Sequence, residues 1–538
     1  MLKKIPIGIQ NIREILTEGY VYVDKTQYIY NLINSSKYYF LSRPRRFGKS
    51  LLLDTIGGVF SGDRELFKGL FIYDSDYSFE KYPVLRLDMS NIANETPDML
   101  RESLSSELIT RIKEKGLDIE YNLPSELFKA LILQLSNKYN RKVVVLIDEY
   151  DKPILDHINE IEIAEANRNI MRGFSGVLKS IDPYLRLTFI TGVTKSTKTS
   201  VFSGLNNLRD ITLAEEYSNI CGITIEDLDN YFSEYIEKIA ASGKYDNCGN
   251  LRDKILAWYD GYSWDGMTRV INPYSLLSFF VEKKFSGFWY ASGTPKFLTD
   301  LIKKRQEGYT SLKNLEVGEW ALDTFEIDNI EVEALLFQTG YLTVKEILPE
   351  QEPSVYLLDI PNYEVRIALN LHILAEFTEK GGVYTETAYR RIKESLKTGN
   401  LQGLLEILRG LFASIPYQLH IGQEAYYHSI FYAIMNLIGF DIDAEVSVSG
   451  GRIDGVLELN DKVYIMEFKY ESCSPDATVE TKRELFKKAL DEGRQQIKDR
   501  GYCDKYSGNG KTIYQAAFAF LGRNDIEMSM EVVEDICS

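Results

Sequence analysis

The residues with the most chemical potential are Arg43-Pro44-Arg45-Arg46-Phe47-Gly48-Lys49-Ser50. They stand between a short apolar run at 38–41 and a segment at 51–60 whose apolar residues recur at helical spacing. A loop between a strand and a helix is where backbone N–H groups converge on a phosphate at a helix N-terminus. A lysine at such a loop reaches the outer phosphates of ATP and a hydroxyl holds Mg²⁺; Gly48, Lys49 and Ser50 fit those roles. Arg45 and Arg46 flank the loop as a positive rim. The general pattern G-x-x-x-x-G-K-[ST] has a glycine where this chain has Arg43. Gly-Lys-Ser by itself fits a basic turn ahead of an ordinary helix equally well.

A second constellation tips that balance. Val143-Val144-Val145-Leu146-Ile147 is an apolar strand that ends in Asp148-Glu149. In a Walker B arrangement Asp148 holds Mg²⁺ through water and Glu149 polarises the attacking water. Alone, such a strand is more often a solvated strand end; after a phosphate-loop pattern and one intervening strand at 84–87, it points to an ATP site. That intervening strand fits the class of P-loop ATPases (ASCE type) that inserts a strand between the two motif strands. A further strand at 185–191 runs into Thr191-Gly192-Val193-Thr194-Lys195-Ser196. Thr191 or Thr194 is then a candidate sensor of the terminal phosphate, and a Thr/Ser-rich turn is an equally good reading. Residues 211–213 suggest a short fifth strand, and Arg209 reads as a surface arginine rather than an arginine finger.

These residues need several cores to position them, because 538 residues exceed what one core holds. The composition, 44% hydrophobic and 26% charged with 14 prolines, is that of a globular chain. A net charge of −17 argues against a general attraction to nucleic acid, so any such contact must be local. Five scattered cysteines without a C-x-x-C pair, and four histidines, suggest reduced thiols and neither a disulfide framework nor a zinc site. No apolar h-region opens the chain and no apolar run spans a bilayer, so a cytoplasmic protein without membrane contact is expected. Alternating strands and helices predict a parallel α/β P-loop domain at 1–216. Helices with aromatic turns predict a helical, winged-helix-like middle at 217–330. A mixed, then helical connector covers 331–415. An α/β unit of different order covers 416–538, with strands at 442–448, 452–459, 462–469 and 512–522 and a charged helix at 479–499.

The motifs together resemble a family of bacterial AAA-ATPase-like proteins that carry a C-terminal domain of the PD-(D/E)XK nuclease superfamily. The resemblance runs from the Arg43–Ser50 segment through Leu146-Ile147-Asp148-Glu149-Tyr150-Asp151-Lys152-Pro153 and Thr191–Lys195 with Ser203-Gly204-Leu205-Asn206-Asn207. It continues through Asn272-Pro273-Tyr274-Ser275-Leu276 and Gln338-Thr339-Gly340-Tyr341-Leu342. Arg43 in place of the first glycine is usual in that family.

Nucleases of that superfamily need two acids on adjacent strands for Mg²⁺ and a lysine close to the second. Gly451-Arg452-Ile453-Asp454 and Ile465-Met466-Glu467-Phe468-Lys469 supply the set, with Glu467 and Lys469 on one face and Phe468 turned to the core. A turn at 460–461 allows the acids to meet on a hairpin. The resemblance adds Glu424 on the preceding helix as an accessory acid and Gln496 on the following one as a motif glutamine. An exposed helix position and an ordinary amphipathic helix explain those two equally well, and His428 reads as structural. The basic residues from Lys482 to Lys505 form a candidate DNA patch, interleaved with acids as a solvated helix would be. The expected function is ATP hydrolysis with Mg²⁺ joined to a nuclease-type domain acting on DNA. The alternative is a nucleotide-switched binding or sensor protein whose nuclease fold does not cleave. A homo-oligomer is left open.

Overall fold

The computed structural model describes residues 2–195, 201, 205, 207–245, 247–289, 315–323, 332–348, 354–378, 382–412, 442–448, 451–459, 462–474, 476–499, 503, 506, 511–521 and 525–533. By contacts the chain divides into one compact unit of residues 1–297 and 314–364, and a second of 298–313 and 365–538.

Continuous apolar runs need cover on both faces, and in the first unit helices provide it. The strands β1 (Tyr38–Ser42), β2 (Val84–Asp88), β3 (Val143–Asp148), β4 (Leu185–Gly192) and β5 (Arg209–Asp210) form one sheet in the order β2-β3-β4-β1-β5. Every pairing in it is parallel. Parallel neighbours require crossovers. The helix Lys49–Phe60 follows β1, Pro97–Glu114 and Pro124–Tyr139 join β2 to β3, and Ile161–Ser180 leads to β4. Phe128 and Phe174 stack between two of these helices with ring centres 4.5 Å apart.

The lateral order agrees with the expected class, since one strand lies between the two motif strands, and corrects which strand that is. The strand separating β1 from β3 in space is β4, whereas the strand at 84–88 lies at the sheet edge. Burial accounts for the placement: β3 is covered along its length and β4 nearly so, while β2 alternates between buried and half-buried positions, as an edge strand does. The fifth strand falls at 209–210, just ahead of 211–213.

The rest of the first unit is helical with a small sheet. Helices Ile225–Ala240, Cys248–Tyr259 and Pro273–Glu282 share a core of Leu228, Phe232, Ile236, Leu251, Tyr259 and Phe279. Thr224 and Asp227 form a capping box at the first, and Asn272 caps the third, whose first residue is Pro273. Strands β6 (Leu315–Gly318), β7 (Thr343–Leu348) and β8 (Val355–Asp359) make an antiparallel sheet in the order β6-β8-β7.

The second unit is built on strands β9 (Ile442–Val448), β10 (Gly451–Leu459), β11 (Lys462–Glu471), β12 (Thr512–Leu521) and β13 (Asp525–Val533), side by side in reverse chain order. Only β11 and β12 are parallel, and the helix Val479–Asp499 is their crossover. Alternation along the strands gives each face its own partner. Tyr464, Met466 and Phe468 face the helices Gly382–Thr398 and Leu401–Phe412, with Ile392, Leu404 and Leu408 in the same core. Val463 and Ile465 face Ile497 of the crossover helix.

Candidate functional site

Backbone sets the first site. β1 ends at Ser42, the chain turns through Arg46 at φ 70° and Gly48 at φ 91°, and the helix starts at Lys49. Gly48 occupies the left-handed region that a side chain resists, directly before the free N–H groups of the first turn. The Lys49 ammonium is buried under the loop, where it donates to the carbonyls of Arg43 at 2.8 Å and Pro44 at 3.0 Å. Burial pulls its pKa down, against the attraction of Glu149, Asp148 and Asp151. Those carbonyls hold an ammonium that can be handed to an incoming anion without a water shell to strip. Arg45 and Arg46 are exposed at the loop, and the Arg46 guanidinium lies 4.7 Å over the Tyr274 ring.

The carboxylates come from the end of β3. Asp148 is buried, accepts from the Thr191 hydroxyl at 2.6 Å and has the Arg86 guanidinium 3.8 Å from its other oxygen. Glu149 follows at φ 50°, a left-handed backbone that a non-glycine residue adopts at a cost of about 1–3 kcal/mol and keeps mostly at functional sites. Burial raises the Glu149 pKa, opposed by Lys49. Thr191 is thus brought to Asp148, while Thr194 is tied by its N–H and hydroxyl to Asp151 at 2.6 and 2.9 Å. Asp151, Arg86 and the aromatic cover described next were not identified from the sequence. Asp151 stood within the segment that carries the resemblance but was given no role; the others come from remote segments and carry no local signal.

Arg43 is the brace of the loop. Its guanidinium is buried, donates to the carbonyls of Ser42, Thr212 and Tyr217 at 2.9, 2.8 and 3.1 Å, and sits 3.9 Å over the Trp264 ring. Burial pulls its pKa down to about 10, with Cys221, Asp210 and Asp265 acting the other way. Phe47 meets Tyr262 and Trp264 edge to face, with ring centres 4.7 and 5.5 Å apart. Gly340, at φ 92°, abuts the loop from a third direction: a Cβ there would come 2.8 Å from the Cβ of Pro44. The aromatic turn at 259–264 and the Gln338–Leu342 segment therefore act as outer walls of the loop.

Glu364 ties acidity to the same place. It is buried and accepts from the Trp289 backbone N–H at 2.8 Å, while the indole of the same residue donates to the Arg45 carbonyl at 3.3 Å. Burial pushes the carboxyl up from 4.5 to about 7. A folded pKa above the unfolded one means that the native state holds the proton longer, so its contribution to stability is full below about 4.5 and lost as pH rises to about 7. The loss amounts to about 3 kcal/mol across that window. Denaturant unfolding of Glu364→Gln should lack this slope, so that wild type minus variant falls steadily from pH 4.5 to 7 and is flat above. A difference that stays constant with pH would show that the carboxyl titrates normally.

The second site lies on the crossover face of the C-terminal sheet. The register pairs Gly455 with Met466, which sets Asp454 across from Glu467. Asp454 accepts from the Phe468 N–H at 2.9 Å. Glu467 is buried and accepts from the Lys469 ammonium at 3.1 Å and from the Gln496 amide. Gln496 reaches it from the helix Val479–Asp499, three residues beyond the buried Gly493 and so on the same helix face. Phe468 points to the opposite face and stacks on Phe518. Four of the expected residues therefore meet, while Glu424 and His428 lie outside the described residues. Four of the six basic residues on the helix Val479–Asp499 are paired with acids: Lys482 with Asp525, Lys488 with Glu471, Arg494 with Asp491 and Glu531, and Lys498 with Glu531. Arg209 is exposed and paired with Glu216.

An α/β sheet with a phosphate-type loop at the end of β1, followed by a mixed sheet with paired carboxylates, defines a P-loop ATPase fold joined to a nuclease fold. Comparison with known proteins agrees: residues 6–202 match the model of a predicted AAA-ATPase family, and residues 422–529 match the PD-(D/E)XK nuclease superfamily. The chain belongs to this family of AAA-ATPase-like proteins with a C-terminal PD-(D/E)XK domain. A relative from Azotobacter chroococcum mcd 1, described as an uncharacterized protein in the vnfD 5′ region, is 37% identical over 529 residues, which is 96% of either chain. The solved structure of the Aeropyrum pernix ORC2 protein, in ADPNP and ADP complexes, aligns with 68% of this chain and 98% of its own at 12% identity and a TM-score of 0.28, too loose a match to bear on the site. No helix among the described residues is long and apolar enough to cross a membrane.

Proposed function

We propose that the chain binds and hydrolyses ATP with Mg²⁺ at the Arg43–Ser50 loop, and that its C-terminal domain is a Mg²⁺-dependent nuclease acting on DNA in the cytoplasm. The observation that carries the first part is the pairing of a Lys49 ammonium held on loop carbonyls with a buried Asp148 already oriented by Thr191. Lys49 binds the outer phosphates, and the N–H groups behind Gly48 orient them. Ser50 and Asp148 are the oxygen donors suited to the metal, Glu149 takes a proton from water, and Arg45 and Arg46 offset charge at the rim. A small apolar cavity of about 110 Å³ beside Gly48, lined by Tyr22, Val23, Phe47, Leu51 and Leu52, suits the base. Mg²⁺, when bound, neutralises phosphate charge at both sites. In the C-terminal domain Asp454 and Glu467 suit the metal, Lys469 orients water, and Gln496 holds Glu467 in place.

The ion pairing of the basic helix favours the second reading, in which the nuclease fold binds without cutting. One experiment separates them: cleavage of plasmid and single-stranded DNA with Mg²⁺ or Mn²⁺, with and without ATP, in wild type, Glu467→Ala and Lys49→Ala. Cleavage that falls at least a hundredfold in Glu467→Ala, with ATP turnover lost in Lys49→Ala, is the expected result. ATP turnover without cleavage under any condition would leave the nucleotide-switched binding protein.

A further inference from the structure

A second cavity, unrelated to the loop's mouth, opens on the back of the helix Lys49–Phe60. It measures about 780 Å³ and lies between Asp54 and Gly58 of that helix, the N-terminal Asn11–Arg13, and the entry to β2 at Tyr82–Arg86. Its walls carry five cations, Arg13, Lys81, Arg86, Lys115 and Arg141, against one acid, Asp54. In a chain of net charge −17 that ratio runs against the average surface. Arg13 and Arg141 are paired with Asp63 and Glu80 at exposed positions, where such pairs contribute little and exchange readily. Lys81 and Lys115 have no carboxylate partner among the described residues. Tyr82 and Tyr139 add two rings to the lining.

Arg86 connects this cavity to the loop. One guanidinium nitrogen donates to Asp54 at 2.8 Å; the other donates to the Ser50 carbonyl at 3.2 Å and lies 3.8 Å from Asp148. The same side chain therefore lines the cavity and bears on two residues that face the outer phosphates in the proposed ATP site.

We propose that this cavity is a regulatory site for a small phosphorylated molecule of the nucleotide class, held by the cations through its phosphate and by the tyrosines through its ring. Size and lining support a small ligand: pockets of about 300–1,000 Å³ enclose one, and arginine forks match phosphate oxygens. A phosphate that draws Arg86 towards the cavity removes positive charge from beside Asp148 and so favours a cation there. Occupancy then lowers the Mg²⁺ concentration needed for half-maximal ATP turnover. This coupling rests on the proposed ATPase reaction; the binding does not.

The test measures calorimetric binding of AMP, of inorganic pyrophosphate and of a short 5′-phosphorylated single-stranded DNA to the full chain. The chains compared are wild type, Lys49→Ala, and Lys49→Ala carrying Lys81→Glu and Arg141→Glu. The expected result is AMP binding that survives Lys49→Ala and weakens at least tenfold in the triple variant, with the unfolding midpoint unchanged by the two surface substitutions. No AMP binding to Lys49→Ala, or binding untouched by the charge reversals, overturns the site. DNA binding tighter than AMP and lost on reversal overturns the small-molecule assignment in favour of a nucleic acid end. In otherwise wild-type protein, Lys81→Glu with Arg141→Glu should leave basal turnover intact and abolish the AMP-induced shift in Mg²⁺ dependence, expected to be about threefold or more. AMP binding with no shift overturns the coupling while leaving the site.

Discussion

Arg43→Gly, which writes the general glycine back into the loop, is expected to destabilise the N-terminal unit by about 4 kcal/mol and to abolish nucleotide binding. The side chain removed is fully covered, and its donors serve the carbonyls of Thr212 and Tyr217 as well as its own neighbour Ser42. Glycine takes the guanidinium from the Thr212 carbonyl, leaves the Tyr217 carbonyl with the Ile220 N–H, and opens a void against the Trp264 ring; losing a buried donor and opening a void each cost on the order of 1–3 kcal/mol. The Arg43 backbone carbonyl also holds Lys49, so a displaced loop takes the lysine with it. Lysine is no substitute, because a single ammonium cannot fork to separate carbonyls while stacking on an indole. Urea unfolding followed by tryptophan fluorescence, with Arg43→Lys alongside, checks this. An unfolding midpoint and nucleotide affinity equal to wild type would show that the arginine is tolerated in the loop and does not support it.

Glu149→Gln is expected to reduce ATP turnover roughly 10²- to 10⁴-fold while leaving nucleotide affinity within a few fold. Glutamine preserves shape and can keep the left-handed backbone at this position as well as glutamate does, so the change isolates the proton acceptor. The carboxylate lies partly buried near Lys49, Asp148 and Asp151, and burial holds its pKa above the ordinary carboxylate range. Turnover in wild type should therefore fall on acidification at a pH above that range, and the fall should be missing from the residual rate of the variant. Turnover within threefold of wild type would assign the base to another group. Binding lost together with turnover would mark Glu149 as part of the loop's support instead.

Much of the candidate sites' geometry was local and for that reason readable. Gly48-Lys49-Ser50, Asp148-Glu149 and Glu467-x-Lys469 depend on spacings along one turn or one strand, and strand alternation alone assigned Phe468 to the core and its neighbours to the other face. The C-terminal strands at 442–448 and 462–471 follow the same rule, since each is a short apolar or alternating run bounded by turn residues. Strand β13 was missed although Asp525–Val533 alternates Asp525, Glu527, Ser529 and Glu531 with Ile526, Met528, Met530 and Val532; acids are disfavoured in strands, and pairing with β12 is what recruits it.

Sequence by itself determined which residues carry reactive groups, the strand and helix periods that present them, and the two classes of fold. Only the tertiary structure decided which strand lies between β1 and β3, that Arg43 is a brace rather than a departure from pattern, and that Trp264, Gly340 and Arg86 converge on one loop. The physical reason is range. Period and capping are set by neighbours a few residues away, whereas lateral strand order and the burial of a guanidinium depend on contacts between segments separated by tens to hundreds of residues, where the chain's own order carries no signal.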